Sequence, residues 1–324
     1  MDALKTQIIR RSFTDFDELT DAAQAWNLEL CKLDAGLFRG EMFQLIAADF
    51  ILSRGQFNCR VKQSGEPPVG YRTFAIPAHP ELAMLWRGKP VTANDLLIFP
   101  TGGELHAFSW PGFDVFTLSI AESLLEKNIE MRGFQGLEVL PCNPRSMNNL
   151  RQLFHKTVQS LEHIEGTKSI LLHQLAEIIT EARPCPSART PHSRRVQSIL
   201  QAEQFIMANP EEPATVKALC AATGVSKRTL EYAFSNHLGI SPKNYINAMR
   251  LNGVHKQLRG AQPGQIRVAD AANNWGFWHM GQFAADYRKL FGENPSATLG
   301  CDAQPCKPTC PYRSQCRICR GEQV

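Results

Sequence analysis

The sequence predicts an α+β chain: a strand-rich first part, then a pair of helices, then a wholly helical last third built from two helix-turn-helix units. Three observations predict it. Between residues 35 and 120, short runs rich in Phe, Ile, Val and Tyr are broken by Gly, Pro and Asn, the composition of strands and turns. From 121 onward the apolar spacing lengthens to the helical period of about 3.6. Residues 215–242 then recur at 267–295, a self-similarity that marks repeated structural units.

A chain of 324 residues, 43% apolar, is long enough for two cores at roughly 100–200 residues each. The runs at 71–76, 95–100 and 114–120 read as strands of an antiparallel barrel or sandwich. Two helical faces follow, Met147, Leu150, Leu153, Phe154, Val158 and Leu161, then Ile170, Leu171, Leu175, Ile178 and Ile179. Two such amphipathic helices either pair with a second subunit or pack on the strands. The stretch 183–192 has three prolines and no apolar period, as an exposed connector would. The expected organisation is therefore 1–182, a linker at 183–192, a DNA-binding domain at 193–299, and a Cys-rich tail at 300–324. Val196, Ile199, Leu200, Ile206 and Met207 are expected on one face of the helix that opens the second domain, which Asn209-Pro210 ends.

The N-terminus carries no apolar run of signal-peptide length, and no stretch of about 18 uncharged apolar residues occurs, so a soluble cytoplasmic protein is expected. The charge is uneven. Residues 193–300 hold 12 Lys and Arg against 7 Asp and Glu, a balance of +5, within a whole-chain net charge of +4. A basic module joined to a mildly acidic one suits a polyanion partner.

Each copy of the repeat has a short helix, a Gly-apolar turn (Gly224-Val225 or Gly276-Phe277) and a second helix with apolar residues four apart. Glycine permits the tight turn, and the second helix projects outward. Ser226 stands at the N-cap position. With Leu230 and Phe234 buried, Lys227, Arg228, Thr229, Glu231 and Tyr232 face outward, where a helix entering the major groove meets base edges; Arg favours guanine and Glu accepts from cytosine. In the second copy the exposed set is Trp278, His279, Met280, Gly281, Gln282 and Ala285, of which Gln282 suits adenine. Arg288, Lys289, Lys243, Arg250, Arg259 and Arg267 are candidates to hold phosphate. Ser241-Pro242 opens a linking helix with Tyr245, Ile246, Met249, Val254 and Leu258 on its buried face. Promoter DNA is the expected partner.

These residues resemble the AraC/XylS family of transcription regulators. The resemblance covers about 193–299 and rests on Leu219, Gly224-Val225-Ser226, Leu230, Phe234, Ser241-Pro242, Tyr245, Arg250-Leu251, Leu258, Gly276-Phe277, Phe283, Tyr287, Phe291-Gly292 and Pro295-Ser296. Residues 275–288 look most like the branch containing the activator of ethanolamine-utilisation operons. His279 replaces the second capping serine, Val254 the usual alanine of the linking helix, and Leu299 an aromatic. The resemblance implies an N-terminal cupin-like β-barrel that senses a small-molecule effector, helices that make a homodimer, and activation through RNA polymerase.

A barrel of this size can enclose one small ligand, and Trp86, His106 and Trp110 are the candidate contacts. A metal barrel needs clustered histidines, whereas His79 and His106 stand far apart with no His-x-His pair. No nucleophile motif or Gly-rich phosphate loop is present, so no enzyme activity is expected. The tail lies outside the family's plan. Cys301, Cys306, Cys310, Cys316 and Cys319 could gather around zinc or an iron–sulfur cluster, or remain free thiols in a basic, Pro-rich tail. A metal- or redox-responsive regulator switched through these cysteines is the alternative to effector control.

Overall fold

The computed structural model describes residues 6–23, 26–82, 84–99, 105–129, 139–159, 164–182, 194–209, 214–262 and 264–300. Among them no helix is long and apolar enough to cross a membrane. The chain divides into two units. The first comprises Met1–Cys31 and Phe38–Gln197, and the second Lys32–Leu37 and Ser198–Val324. The expected linker at 183–192 and the tail from 301 lie outside the described residues.

The first unit contains β1 (Gln7–Phe13), α1 (Phe16–Ala22), β2 (Asn27–Lys32), β3 (Gly40–Ala47), β4 (Phe50–Phe57), β5 (Val61–Glu66) and β6 (Tyr71–Pro77). It continues through β7 (Met84–Trp86), β8 (Lys89–Pro90), β9 (Asp95–Ile98), β10 (Leu105–Ser109), β11 (Phe113–Ala121), α2 (Glu122–Asn128) and β12 (Val139–Pro141), then α3 (Pro144–Gln159) and α4 (Ile164–Glu181). The strands form two sheets, β1-β3-β4-β11-β6-β9-β12 and β2-β5-β10-β7-β8. Each ladder keeps two open edges, so among the described residues the strands make two sheets rather than the closed barrel the sequence suggests.

Strand parity sorts the side chains of the larger sheet. Phe43, Leu45, Phe50, Leu52, Phe74, Ile76, Phe116 and Leu118 share one core with Met147, Leu150 and Phe154 of α3 and Leu171, Leu175 and Ile178 of α4. The intervening residues face the other way, toward the smaller sheet. Register holds this pattern: Phe43 pairs with Arg54 and Gln44 with Ser53 across β3 and β4. The amphipathic faces of α3 and α4 are thus spent on their own sheet, which decides between the two uses the sequence left open for those faces. Ile170 departs from its expected place and is exposed, because Leu171, Leu172 and Leu175 already fill the sheet-facing stripe.

The remaining helices follow in order: α5 (Arg194–Ala208), α6 (Val216–Thr223), α7 (Lys227–Leu238), α8 (Pro242–Arg259), α9 (Val268–Asn274), α10 (Met280–Phe291) and α11 (Pro295–Gly300). Along α5, Val196, Ile199, Ala202 and Ile206 are buried while Met207 is exposed. One residue beyond Ile206 is a rotation of about 100°, which carries Met207 off the stripe. On α8, Pro242, Tyr245, Ile246, Ala248, Met249, Leu251, Val254 and Leu258 are all buried, so this helix is enclosed on more than one side and forms the spine on which the two repeated units are built.

Candidate nucleic-acid interface and effector cavity

In the first repeated unit, α6 is capped by Thr215, whose hydroxyl accepts from the amide of Ala218 at 3.1 Å. It ends at Gly224, which takes the left-handed conformation with φ 65°; a side chain there would be strained. Ser226 caps α7, accepting from the Thr229 amide at 3.2 Å. Leu230, Ala233, Phe234 and Leu238 are buried. Burial on that side leaves Lys227, Arg228, Glu231 and Tyr232 exposed and Thr229 half-buried. Lys227 and Glu231 lie 3.7 Å apart, both largely exposed, a pairing weak enough in water to yield to a base or phosphate.

The second unit repeats the plan with different chemistry. Trp275 ends α9, and Gly276 adopts φ 72°. His279 occupies the N-cap of α10 but makes no side-chain capping bond, so the helix begins with its first amides uncapped by that residue. Phe283, Tyr287 and Leu290 are buried. Trp278, His279 and Gln282 are exposed and Met280 half-buried, with Trp278 at 68%. An exposed indole beside a recognition helix suits apolar contact with a thymine methyl more than bidentate hydrogen bonding. Gln282 donates to Asp286 at 2.8 Å one turn on. Arg288 donates to Asn294 at 2.7 Å, which places it at the end of α10 away from the helix's first turn.

Arg250 corrects the sequence reading. Its guanidinium donates through Nε to the carbonyl of Trp275 at 2.7 Å and through Nη2 to that of Gly276 at 2.6 Å. It also lies 4.9 Å from the centre of the Phe277 ring. Burial lowers its pKa from the ordinary arginine value. A half-buried side chain whose fork grips two main-chain carbonyls positions the second turn and is not presented to phosphate. Lys243, by contrast, is exposed at the start of α8. Arg267 forks onto Asp270 with two bonds of 2.8 Å, and that bonding holds the Asp270 carboxyl below its usual pKa.

Two further contacts escape the sequence. A Cβ on Gly253 would come within 2.3 Å of the Trp275 ring, so glycine in the middle of α8 is what lets the second turn sit against the spine. Inside the unit, His255 Nδ1 meets Tyr287 Oη at 2.7 Å, and Tyr287 Oη meets Thr298 Oγ1 at 2.8 Å. All three residues are buried, tying α8, α10 and α11 together by hydrogen bonds that water cannot replace.

The first unit holds a cavity of about 110 Å³ between its two sheets. Trp86, one of the three expected effector contacts, lines it. His106 and Trp110 do not: Leu105 and Ala107 face the cavity, so alternation turns His106 to the opposite face of β10, where its ring stands 5.4 Å from that of Phe108. The sequence reading missed Gln44, which lines the same cavity from β3. Its signal was a lone amide among the otherwise apolar inward-facing positions of that strand. Among the described residues no cluster of three or more His, Cys, Asp or Glu could hold a metal. Among the described residues, Cys31, Cys59, Cys142 and Cys220 form no disulfide, whereas Cys301, Cys306, Cys310, Cys316 and Cys319 lie outside the described residues.

A family described as "Helix-turn-helix domain" matches residues 219–300. The chain is 36% identical over 98 residues to the probable thc operon regulatory protein of Rhodococcus erythropolis, covering 30% of each. It is 34% identical over 112 residues to the XylDLEGF operon transcriptional activator 3 of Pseudomonas putida, covering 35% of this chain and 34% of that one. The chain thus spans about a third of the length of these two relatives. A crystal structure of a probable AraC family regulator from Rhodopseudomonas palustris CGA009 shares 41% identity across 33% of this chain and 98% of its own, with a TM-score of 0.30. The ethanolamine-operon branch has no counterpart among these relatives, and none of them is an enzyme. Over its helix-turn-helix domain the chain is thus similar to operon regulators of the XylDLEGF activator kind, in keeping with the AraC/XylS resemblance of its sequence.

Proposed function

We propose that the whole protein is a cytoplasmic transcription activator that reads promoter DNA with both helix-turn-helix units and answers to a small molecule held in its first unit. The observation that carries the reading is the paired exposure of two recognition helices, α7 with Lys227, Arg228, Glu231 and Tyr232, and α10 with Trp278 and Gln282. Both are built on one spine, α8. Ser226 and Thr229 close the first turn of α7 and set its approach to the duplex, while Lys243 supplies phosphate affinity. The different exposed residues of the two helices give a charged, more selective half and a largely apolar, more permissive half.

In this reading the protein works as a homodimer and contacts RNA polymerase from the promoter. Because α3 and α4 use their apolar stripes on their own sheet, pairing of copies draws on other surfaces, among them the outer side of α4 at the exposed Ile170. The test is selection of binding sites from random duplex DNA by the full chain, followed by footprinting. Two protected major-groove segments about 10 base pairs apart are expected for one copy. Protection of a single groove, or no preference over bulk DNA, overturns the reading.

A further inference from the structure

The second recognition helix carries a carboxylate on a face proposed to meet a polyanion. Asp286 stands one turn after Gln282 on α10 and is half-buried, while Gln282 is exposed in the helix's first turn. Both border a concavity shared with the exposed Lys243 and Lys289. Among the described residues no cation pairs with Asp286, and its one polar contact is the 2.8 Å bond that it accepts from Gln282 Nε2. An unpaired carboxylate here repels phosphate and lowers affinity for every sequence. Such a cost is the usual companion of selectivity, because the same charge can reject the wrong partner more strongly than the right one.

What Asp286 does to Gln282 follows from their donors and acceptors. An ionised carboxylate only accepts, so Asp286 holds the amide by its nitrogen, and turning the amide over would set Oε1 against a carboxylate oxygen. Gln282 is left with Oε1 as an acceptor and one N–H as a donor. Adenine presents its N6 donor beside its N7 acceptor in the major groove, which this arrangement matches. Guanine presents two acceptors, O6 and N7. A free glutamine can meet both with its two N–H groups, but here one is committed to Asp286 and O6 would face Oε1. The exposed neighbours Gly281 and Ala285 bring no hydrogen-bonding side chain, so base-edge chemistry at this end of α10 falls to Gln282.

We infer that Asp286 is a positioning residue of the second recognition helix: by holding the Gln282 amide nitrogen, it makes Gln282 a reader of adenine that rejects guanine. The inference rests on the proposed two-reader mode of DNA binding and names the base that the second reader selects.

The test selects binding sites from random duplex DNA with the full chain as wild type, Gln282→Ala, Asp286→Ala, Asp286→Asn and the double Ala variant. Affinities are then measured for duplexes that differ at one base pair. Wild type is expected to prefer adenine over guanine by about 5- to 150-fold at the base pair whose preference disappears in Gln282→Ala. Asp286→Ala should lower that ratio by about 2- to 10-fold, the worth of one hydrogen bond. Asp286→Asn still offers a carbonyl to Gln282 Nε2 and should keep the ratio within a factor of about two. Both Asp286 variants should bind random-sequence duplex at least as tightly as wild type, since a negative charge is gone. In the Gln282→Ala background, Asp286→Ala should change the ratio no further. An undiminished ratio in Asp286→Ala, an Asn variant no better than the Ala variant, or a guanine preference in wild type overturns the inference. So does a selected site in which no base preference depends on Gln282 while footprinting still shows two protected grooves, and the two-reader mode then stands. A wild-type footprint confined to one groove instead overturns the two-reader mode itself.

Discussion

Replacing Arg250 by Met separates a positioning role from a DNA contact. Methionine keeps an unbranched stem but removes the fork that holds the Trp275 and Gly276 carbonyls at 2.7 and 2.6 Å. A hydrogen bond from a charged donor is worth about 1.5–3 kcal/mol, and the cation over Phe277 adds about 0.5–1 kcal/mol. The side chain is half-buried and its two bonds are not independent, so the expected loss is that of about one such bond plus the ring contact, about 2–4 kcal/mol. Urea unfolding of the second unit, followed by near-UV signal from Trp275 and Trp278, should report that loss. Operator affinity should fall because the second recognition helix loses its seat, but the slope of log K against log salt should stay unchanged. Each lost phosphate contact would instead reduce the slope by about 0.9. Unchanged stability together with a shallower salt slope would refute the positioning argument and return Arg250 to the phosphate-binding set.

Three other expectations follow from the packing. Gly253→Ala places a methyl within 2.3 Å of the Trp275 ring; overpacking of about 1–3 kcal/mol outweighs the gain of about 1 kcal/mol from better helix propensity, and a lowered urea midpoint with weaker operator binding checks it. Tyr287→Phe leaves His255 and Thr298 without their shared hydroxyl and should cost about 1–3 kcal/mol by the same titration. Burial, with help from Asp95 and Glu181, pushes the Cys142 thiol up to about 12 against an ordinary 9.0. The neutral form is thus favoured on folding, and this contribution is fully present below pH 9.0 and is lost as pH rises toward 12. Native protein at neutral pH should resist iodoacetamide at Cys142, as peptide mapping would show, while urea-unfolded protein should react there.

The helix-turn-helix pair was legible because its determinants are local. A glycine at φ > 0, a capping serine and apolar residues four apart all act within a dozen residues, and all repeat. Arg250 was not legible because a basic residue on a helix reads as solvated, and its partners lie 25 and 26 residues away on a turn whose position depends on Gly253. In the first unit the strands showed in the composition, but whether their ladder closes depends on which edges meet, and that is settled by pairings such as β3 with β11's neighbour β4 and β5 with β10. Of the side chains that line the inter-sheet cavity, Trp86 was legible as a large aromatic. Gln44 was passed over because one polar residue in a strand says nothing about which face it joins until the register is known.

The parity of β3 has a further consequence, for how such a protein changes over generations. Phe43 and Leu45 belong to the core beneath the helices, and Met42 and Gln44, one peptide away on either hand, belong to the cavity. Substitutions at the even positions of this strand can therefore reshape what the cavity accepts without disturbing the helical layer. The odd positions can be tuned for stability without altering ligand preference. An insertion or deletion of one residue would exchange the two sets at once. In the proposed reading, ligand preference can therefore be changed by point mutation at the even positions but not by single-residue length variation within the strand.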